Sequence, residues 1–194
     1  MTVLAESMTT RDRLDSVGFG GDSHLVDEKL HEVFTELPDR SDPRVQQAQA
    51  LRNSAIYRLS RREHSNFELR AKFKERFPEL DDDQLVSEVL ERLQRDGMQS
   101  DQRFTEAYTR MRCRKGVGPQ RVAQELRERG VISRMIDVEL VSPEHDWYAA
   151  AHQVREKKFG DSLPSDFKIR MKQQAFLRYR GFTMEQIQSA FESV

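Results

Sequence analysis

A single cysteine, Cys113, in 194 residues leaves no material for an internal disulfide framework or a cysteine-based zinc site. With 9 Gly and 6 Pro the chain is short of the turn residues that a sandwich or barrel of many brief strands requires, so helices are expected. Hydrophobic residues are scarce, 37% against 34% charged. This balance argues against one thick central core and for small units that each bury a thin stripe. No run approaches the roughly 20 apolar residues of a membrane span. Glu6, Arg11, Asp12, Arg13 and Asp15 interrupt the opening stretch before a signal-peptide core can form. A soluble, cytoplasmic protein without a membrane partner is the expectation.

What the chain does have is charge, balanced in total at 32 Lys plus Arg against 33 Asp plus Glu, net −1. The balance conceals an alternation. Residues 1–44 hold 5 basic and 10 acidic residues with Gly18, Gly20 and Gly21 close together, which reads as an acidic, disordered leader. Beyond it, 52–76 carry 8 basic and 3 acidic residues, 77–100 carry 2 and 7, 101–129 carry 8 and 4, and 130–146 carry 1 and 4. The stretch 152–180 then carries 8 and 3, and 181–194 carries 0 and 2. Three basic maxima about 50 residues apart point to an internal repeat.

The apolar residues repeat as well. Arg114, Lys115, Gly118, Val122, Leu126, Arg129 and Gly130 lie 53 positions after Arg61, Arg62, Ser65, Leu69, Phe73, Arg76 and Phe77, matching in character at most sites. Arg180, Gly181, Phe182, Ile187 and Phe191 lie 51 positions after Arg129, Gly130, Val131, Ile136 and Leu140.

Each repeat reads as three short helices, the units spanning 45–98, 99–144 and 145–194. In the first, Asp42 and Pro43 suit N-cap and first turn, and Val45, Ala48, Leu51, Ala55, Ile56 and Leu59 recur at helical spacing. Ser65 with Glu68 forms a capping box ahead of Leu69 and Phe73, and Asp81 to Asp83 open a third helix whose stripe ends at Gly97. In the second, Phe104, Ala107, Tyr108 and Met111 line one helix, Gly118 and Pro119 begin the next, and Ser133 begins the last. In the third, Trp147, Ala150, Ala151 and Val154 are followed by Phe167, Ile169, Phe176 and Leu177, and Thr183 with Gln186 caps the final helix. The fold class is therefore all-α, three tandem three-helix repeats supporting one another in an elongated or bent array.

These stretches resemble the RecX family of recombinase regulators. The resemblance is carried by Arg61, Arg62, Glu63, His64, Ser65 with Glu68, Leu69, Arg70, and by Gly97 to Asp101 leading into Arg103, Phe104 and Tyr108. Its strongest part is Arg112, Arg114, Lys115, Gly116, Gly118, Pro119, Val122, Glu125, Leu126, Arg129, Gly130 and Val131. Lys157, Lys158, Phe159, Gly160 and Arg180, Gly181, Phe182 match the third unit, so the resemblance spans roughly 50–194. Thr105, where the family usually has a small apolar residue, is a mild departure, and residues 1–44 have no family counterpart. The resemblance implies three three-helix repeats and a partner, the RecA recombinase filament on single-stranded DNA, whose ATPase, strand-exchange and coprotease activities such proteins restrain.

Such a filament presents DNA phosphates and acidic protein surface at regular intervals. Arg61, Arg62, Arg112, Arg114, Lys115, Arg121, Lys157 and Lys158 are the candidate filament- or DNA-contacting residues, because most sit at a helix end or the turn after it and Arg binds carboxylate or phosphate bidentately. Taken singly, each also fits a solvated charge with an i, i+4 partner; the recurrence is what singles them out. The turn Gly116, Val117, Gly118, Pro119 suits an anion through free helix-start amides, but Pro119 has no amide hydrogen and a structural cap is the better reading. Tyr57, Tyr108, Trp147, Tyr148 and Tyr179 offer stacking faces, although Tyr57, Tyr108 and Trp147 belong to the apolar stripes.

No catalytic or metal constellation and no cofactor motif is present, and the protein is not expected to be an enzyme. His24 and His31, and His145 and His152, are seven apart without further ligands nearby. Cys113 lies among Arg112, Arg114 and Lys115, which would lower a thiol pKa, but it has no resolving partner. Gly18, Gly20 and Gly21 lack the Lys-Ser/Thr of a phosphate loop. A monomer binding a recombinase filament, with weak direct DNA contacts, is one function; an autonomous helix-turn-helix-like DNA-binding protein is the other.

Overall fold

The computed structural model describes residues 41–192, and within them the chain forms nine helices and no strand. The first unit holds α1 (Pro43–Leu59), α2 (Asn66–Arg76) and α3 (Asp83–Arg95); the second α4 (Asp101–Arg114), α5 (Pro119–Arg127) and α6 (Ser133–Leu140); the third α7 (Trp147–Phe159), α8 (Phe167–Arg180) and α9 (Met184–Ser189). The acidic leader, with Gly18, Gly20, Gly21, His24 and His31, lies outside the described residues.

Local chemistry sets the helix ends. Asp82, Ser100, Asp146, Asp166 and Thr183 each accept the backbone amide three residues on, satisfying one of the orphan donors of a helix start. Thr183 and Gln186 complete a reciprocal capping box. Ser65 caps α2 in one direction only: it accepts from the Glu68 amide at 3.1 Å, while the Glu68 carboxylate turns to Arg62 and His64. The expected reciprocal box is half formed because Arg62 and Arg129 draw the Glu68 carboxylate away from the cap. In the second unit the last helix begins at Ser133 as expected, and its N-cap Ile132 makes no side-chain bond. At the other end, α3, α4, α5 and α8 close alike, the amides of Met98, Val117, Val131 and Phe182 reaching back to the carbonyls of Leu93, Arg112, Leu126 and Leu177. A left-handed glycine precedes each of those amides.

Within each unit the helices pack on one another, α1 with α2 and α3, α4 with α5 and α6, α7 with α8 and α9. Three separate cores result. Leu51, Leu69, Phe73, Leu90 and Leu93 anchor the first, Phe104, Val122, Leu126 and Ile136 the second, and Leu177, Phe182, Ile187 and Phe191 the third. At about 1.5–3 kcal/mol for each fully buried large side chain, cores this small leave an isolated unit marginal against chain entropy.

Several apolar residues sit elsewhere than the stripes imply. Trp147 starts α7 yet is buried in the second core, its indole donating to the Leu140 carbonyl at 2.9 Å, so it staples the third unit to the second. Tyr57, Phe167 and Ile169 are solvent-exposed, and Met111 is on the margin. Phe167 and Ile169 are two positions apart on a helix and cannot share the buried face that Leu177 defines.

The units are joined by a contact that itself repeats. Where the second meets the third, the Gly118 amide donates to the Arg180 carbonyl at 2.8 Å and the Gln120 amide to the Gly181 carbonyl at 3.0 Å. A Cβ on Gly118 would stand 2.4 Å from the Gly181 carbonyl carbon, and one on Gly181 2.4 Å from the Arg121 Cβ. Where the first meets the second, the equivalent residues meet again: Ser65 Oγ donates to the Arg129 carbonyl at 2.8 Å, and a Cβ on Gly130 would stand 2.5 Å from that of Phe67. The Asn66 amide donating to Asp101 and Gln99 donating to the His64 carbonyl complete this joint.

Gly118→Ala should therefore separate the backbones at the second joint and destabilise the protein by roughly 2–3 kcal/mol. A calorimetric melting temperature about 5–10 °C lower, with faster hydrogen exchange at the Gly118 and Gln120 amides, is the expected outcome; unchanged exchange there would exclude the proposed backbone contact.

Candidate functional site

The candidate cations fall into two groups. Arg114 ends α4, Lys115 is its C-cap, and Lys157 and Lys158 lie in the last turn of α7. These four line one groove of about 970 Å³ between the second and third units, together with Asp146 and Arg180. Positive charge at two helix C-termini is locally favourable, since it faces the negative ends of both dipoles. No carboxylate of the described residues pairs with Arg114, Lys115, Lys157 or Lys158, so their charge is available to a ligand. Asp146 is the acid on the wall, and it is engaged in capping α7 through the Ala149 amide.

The other four candidates do not line the groove. Arg61 lies over the Tyr57 ring with its guanidinium 5.7 Å from the centroid and donates to the Tyr57 hydroxyl. Arg62 donates to Glu68 at 2.8 Å at the first joint. Arg112, its side chain 20% exposed, is ion-paired with Glu125 across α4 and α5. Arg121 also binds Glu125, at 3.3 Å, and stacks on the exposed ring of Tyr179. Arg112 thus serves the packing of the second unit.

Glu125 is the hub of that arrangement, accepting from Arg112, Tyr108 and Arg121. Burial pushes its carboxyl upward, but those hydrogen bonds outweigh burial and hold it below the usual glutamate range. The Tyr108 phenol is raised, by burial first and then by its bond to Glu125. At the first joint burial, reinforced by Arg62, lowers His64 below the ordinary histidine value despite Glu68 beside it.

Arg180 was not singled out as a site residue, although it lines the groove. Its Nε donates to the Gly116 carbonyl at 2.7 Å and its Nη2 to the Lys115 carbonyl, satisfying the last carbonyls of α4. Its sequence signals are its place 51 residues after Arg129 and its membership of the Arg180, Gly181, Phe182 stretch that carries the resemblance in the third unit. The turn at 116–119 has no amides left for an anion, because Gly118 and Gln120 donate across the joint and Gly116 and Val117 donate back into α4. Cys113 is pushed up, by burial first and then by Asp146, so the neighbouring cations do not activate it. Among the described residues no group of three or more His, Cys, Asp or Glu is gathered to hold a metal ion, and no helix is long and apolar enough to cross a membrane.

Three small helical units joined by one repeated contact, with a cationic groove at the second joint, define a tandem three-helix-repeat protein. Comparison with known proteins places it further. Residues 100–138 match the second three-helix domain of RecX and residues 144–191 the third. A regulatory protein RecX from Halorhodospira halophila is 42% identical over 143 residues, covering 74% of this chain and 87% of the relative. One from Pseudomonas entomophila is 39% identical over 138 residues, covering 71% and 87%. The crystal structure of RecX from Lactobacillus salivarius superposes with a TM-score of 0.62 at 18% identity, covering 75% of this chain and 95% of that one, which shows a shared fold. The chain belongs to the RecX family of regulatory proteins.

The two depressed groups have the same linkage sign. Glu125 and His64 both bind protons less readily folded than unfolded, so the stability they supply is present above their unfolded values and is lost as pH falls through the folded ones. Thermal melts should show a first decline below about pH 6.5, from His64, and a further one below about pH 4.5, from Glu125. Arg112→Ala should lower stability by about 2 kcal/mol and diminish the acidic limb, whereas Lys115→Ala should stay within about 0.5 kcal/mol of wild type. Equal losses from the two variants would remove the distinction between packing and surface cations.

Proposed function

We propose that this RecX-family protein regulates the RecA recombinase, binding its nucleoprotein filament on single-stranded DNA and inhibiting its ATPase, strand-exchange and coprotease activities. It thereby modulates recombination and the DNA-damage response, acting in the cytoplasm as a monomer, without a cofactor and not as an enzyme. Family membership supports the regulatory role. The observation that carries the mode of action is the convergence of Arg114, Lys115, Lys157 and Lys158 on one groove with no internal carboxylate partner. A polyanion entering that groove would meet all four at once, and Arg114 can hold a carboxylate or phosphate with both arms of its fork. Bridging two filament subunits in this way opposes the subunit rearrangements that accompany ATP turnover.

The second reading, an autonomous helix-turn-helix-like DNA-binding protein, draws on the same cations. A chain of net charge −1 has weak long-range attraction for duplex DNA, and the cations line a joint between units. The two readings separate on salt. Autonomous binding would fall steeply, with a slope near −0.9 for each phosphate neutralised.

Changing Arg114 and Lys115 together to Glu should raise the concentration needed to inhibit RecA ATPase on single-stranded DNA by at least about tenfold, a loss near 1.4 kcal/mol. The helical circular-dichroism signal should be unchanged, because neither residue is ion-paired. Undiminished inhibition would refute the groove; absence of inhibition by the unaltered protein at equimolar ratio would refute the filament reading.

A further inference from the structure

The first six residues of α8 are all exposed. Its buried residues, Gln173 and Leu177, come seventh and eleventh, while Phe167 is 74%, Ile169 52% and Met171 47% exposed. A lone exposed apolar residue is ordinary, but Phe167 and Met171, four positions apart, share one side of the helix, with exposed Leu163 shortly before them in sequence, whereas Ile169 lies on another side. The charges on this helix are also unfavourably placed for a free chain. Its first turn contains no acidic residue, and Lys168 and Arg170 stand at the positive end of its dipole. Arg170 is partly accommodated over the Phe191 ring, 5.3 Å from its centroid, whereas Lys168 and Lys172 pair with no carboxylate of the described residues. One helical row therefore carries Lys168, Lys172, Ala175 and Tyr179, flanked by the row Phe167, Met171, Gln174 and Arg178. Over 14 residues, about 21 Å of helix, this outer face has no acid after the N-cap Asp166.

We infer that the outer face of α8 is a docking surface for an acidic protein segment that carries apolar side chains, presented by the filament partner. Carboxylates would neutralise Lys168 and Lys172 and at the same time offset the helix dipole that those cations oppose. Apolar side chains on the same segment would cover Phe167 and Met171. A nucleic acid could also satisfy the cations and stack on the exposed rings of Phe167 and Tyr179, but Met171 and Leu163 offer a base neither a ring face nor a hydrogen bond, whereas methionine and aromatic side chains are enriched where proteins meet. This surface is distinct from the groove, and the inference rests on the filament reading for the identity of the partner.

The test uses the full chain with Phe167 replaced by the photo-crosslinking residue p-benzoylphenylalanine and, in a separate preparation, with the groove residue Gln153 so replaced. Each is irradiated on RecA filaments assembled on single-stranded DNA. Position 167 should yield an adduct with the recombinase polypeptide. The double variant Phe167→Glu, Met171→Glu should need at least tenfold more protein for half-maximal ATPase inhibition, while Phe167→Leu stays within twofold. Adducts from position 167 to DNA alone, or none from 167 while position 153 crosslinks, would overturn the inference and leave the filament reading standing. So would full inhibition by a folded double-Glu variant. An unaltered protein that fails to bind the filament would overturn the filament reading and this inference with it.

Discussion

The structure depends on one close approach, repeated: the turn that starts the second helix of a unit lies against the turn that ends the second helix of the next. At the second joint the approach is backbone to backbone, which is why Gly118 faces Gly181 with no room for a side chain on either. At the first joint a serine stands where Gly118 would be, and Ser65 Oγ replaces the backbone amide as donor to the following unit. The same geometric role is thus filled by main chain in one place and by side chain in the other. Because each core is small, this joint, together with Trp147 reaching from α7 into the second core, supplies burial that a single unit lacks.

Much of this was legible before any coordinates. The 53- and 51-residue correspondences pair Ser65 with Gly118 and Arg129 with Arg180, and those are the residues that meet at the joints. The starts of α2, α3 and α9 followed from Ser65, from Asp81 to Asp83 and from Thr183, and the end of α3 from Gly97, whereas the caps Ser100, Asp146 and Asp166 were not read. What periodicity could not assign was which face of a helix is covered. In α1 and α8 the apolar residues spread over more than one face, so Tyr57, Phe167 and Ile169 pass for core residues in one dimension and lie in solvent in three. Nor could it show a partner distant in sequence, as Glu125 is to Arg112, 13 residues away.

The basic maxima need the same correction, since a count of charges does not measure a surface. In the third maximum Arg155 is buried, its guanidinium donating to the carbonyls of Gly160, Asp161 and Ser162, which pins the α7–α8 loop. Arg180 closes α4, Arg129 donates to the Glu125 carbonyl and covers the Tyr108 ring at 4.7 Å, and Arg112 holds Glu125. Arginine suits these tasks because its planar fork can satisfy several carbonyls at once. Part of the charge periodicity therefore reports the periodicity of the joints.

Removing the structural arginines from consideration leaves an uneven distribution that the sequence blocks concealed. In the first unit Arg61 and Arg62 are held by Tyr57 and Glu68 while Lys74, Arg92 and Arg95 pair with no carboxylate of the described residues; four of the candidate cations line one groove at the second joint, and Lys168 and Lys172 lie along α8. Both places belong wholly or partly to the third unit, where the core is smallest and the exposed apolar side chains are most concentrated. This concentration of exposed apolar side chains around a small core is what the proposed binding role of the third unit draws on.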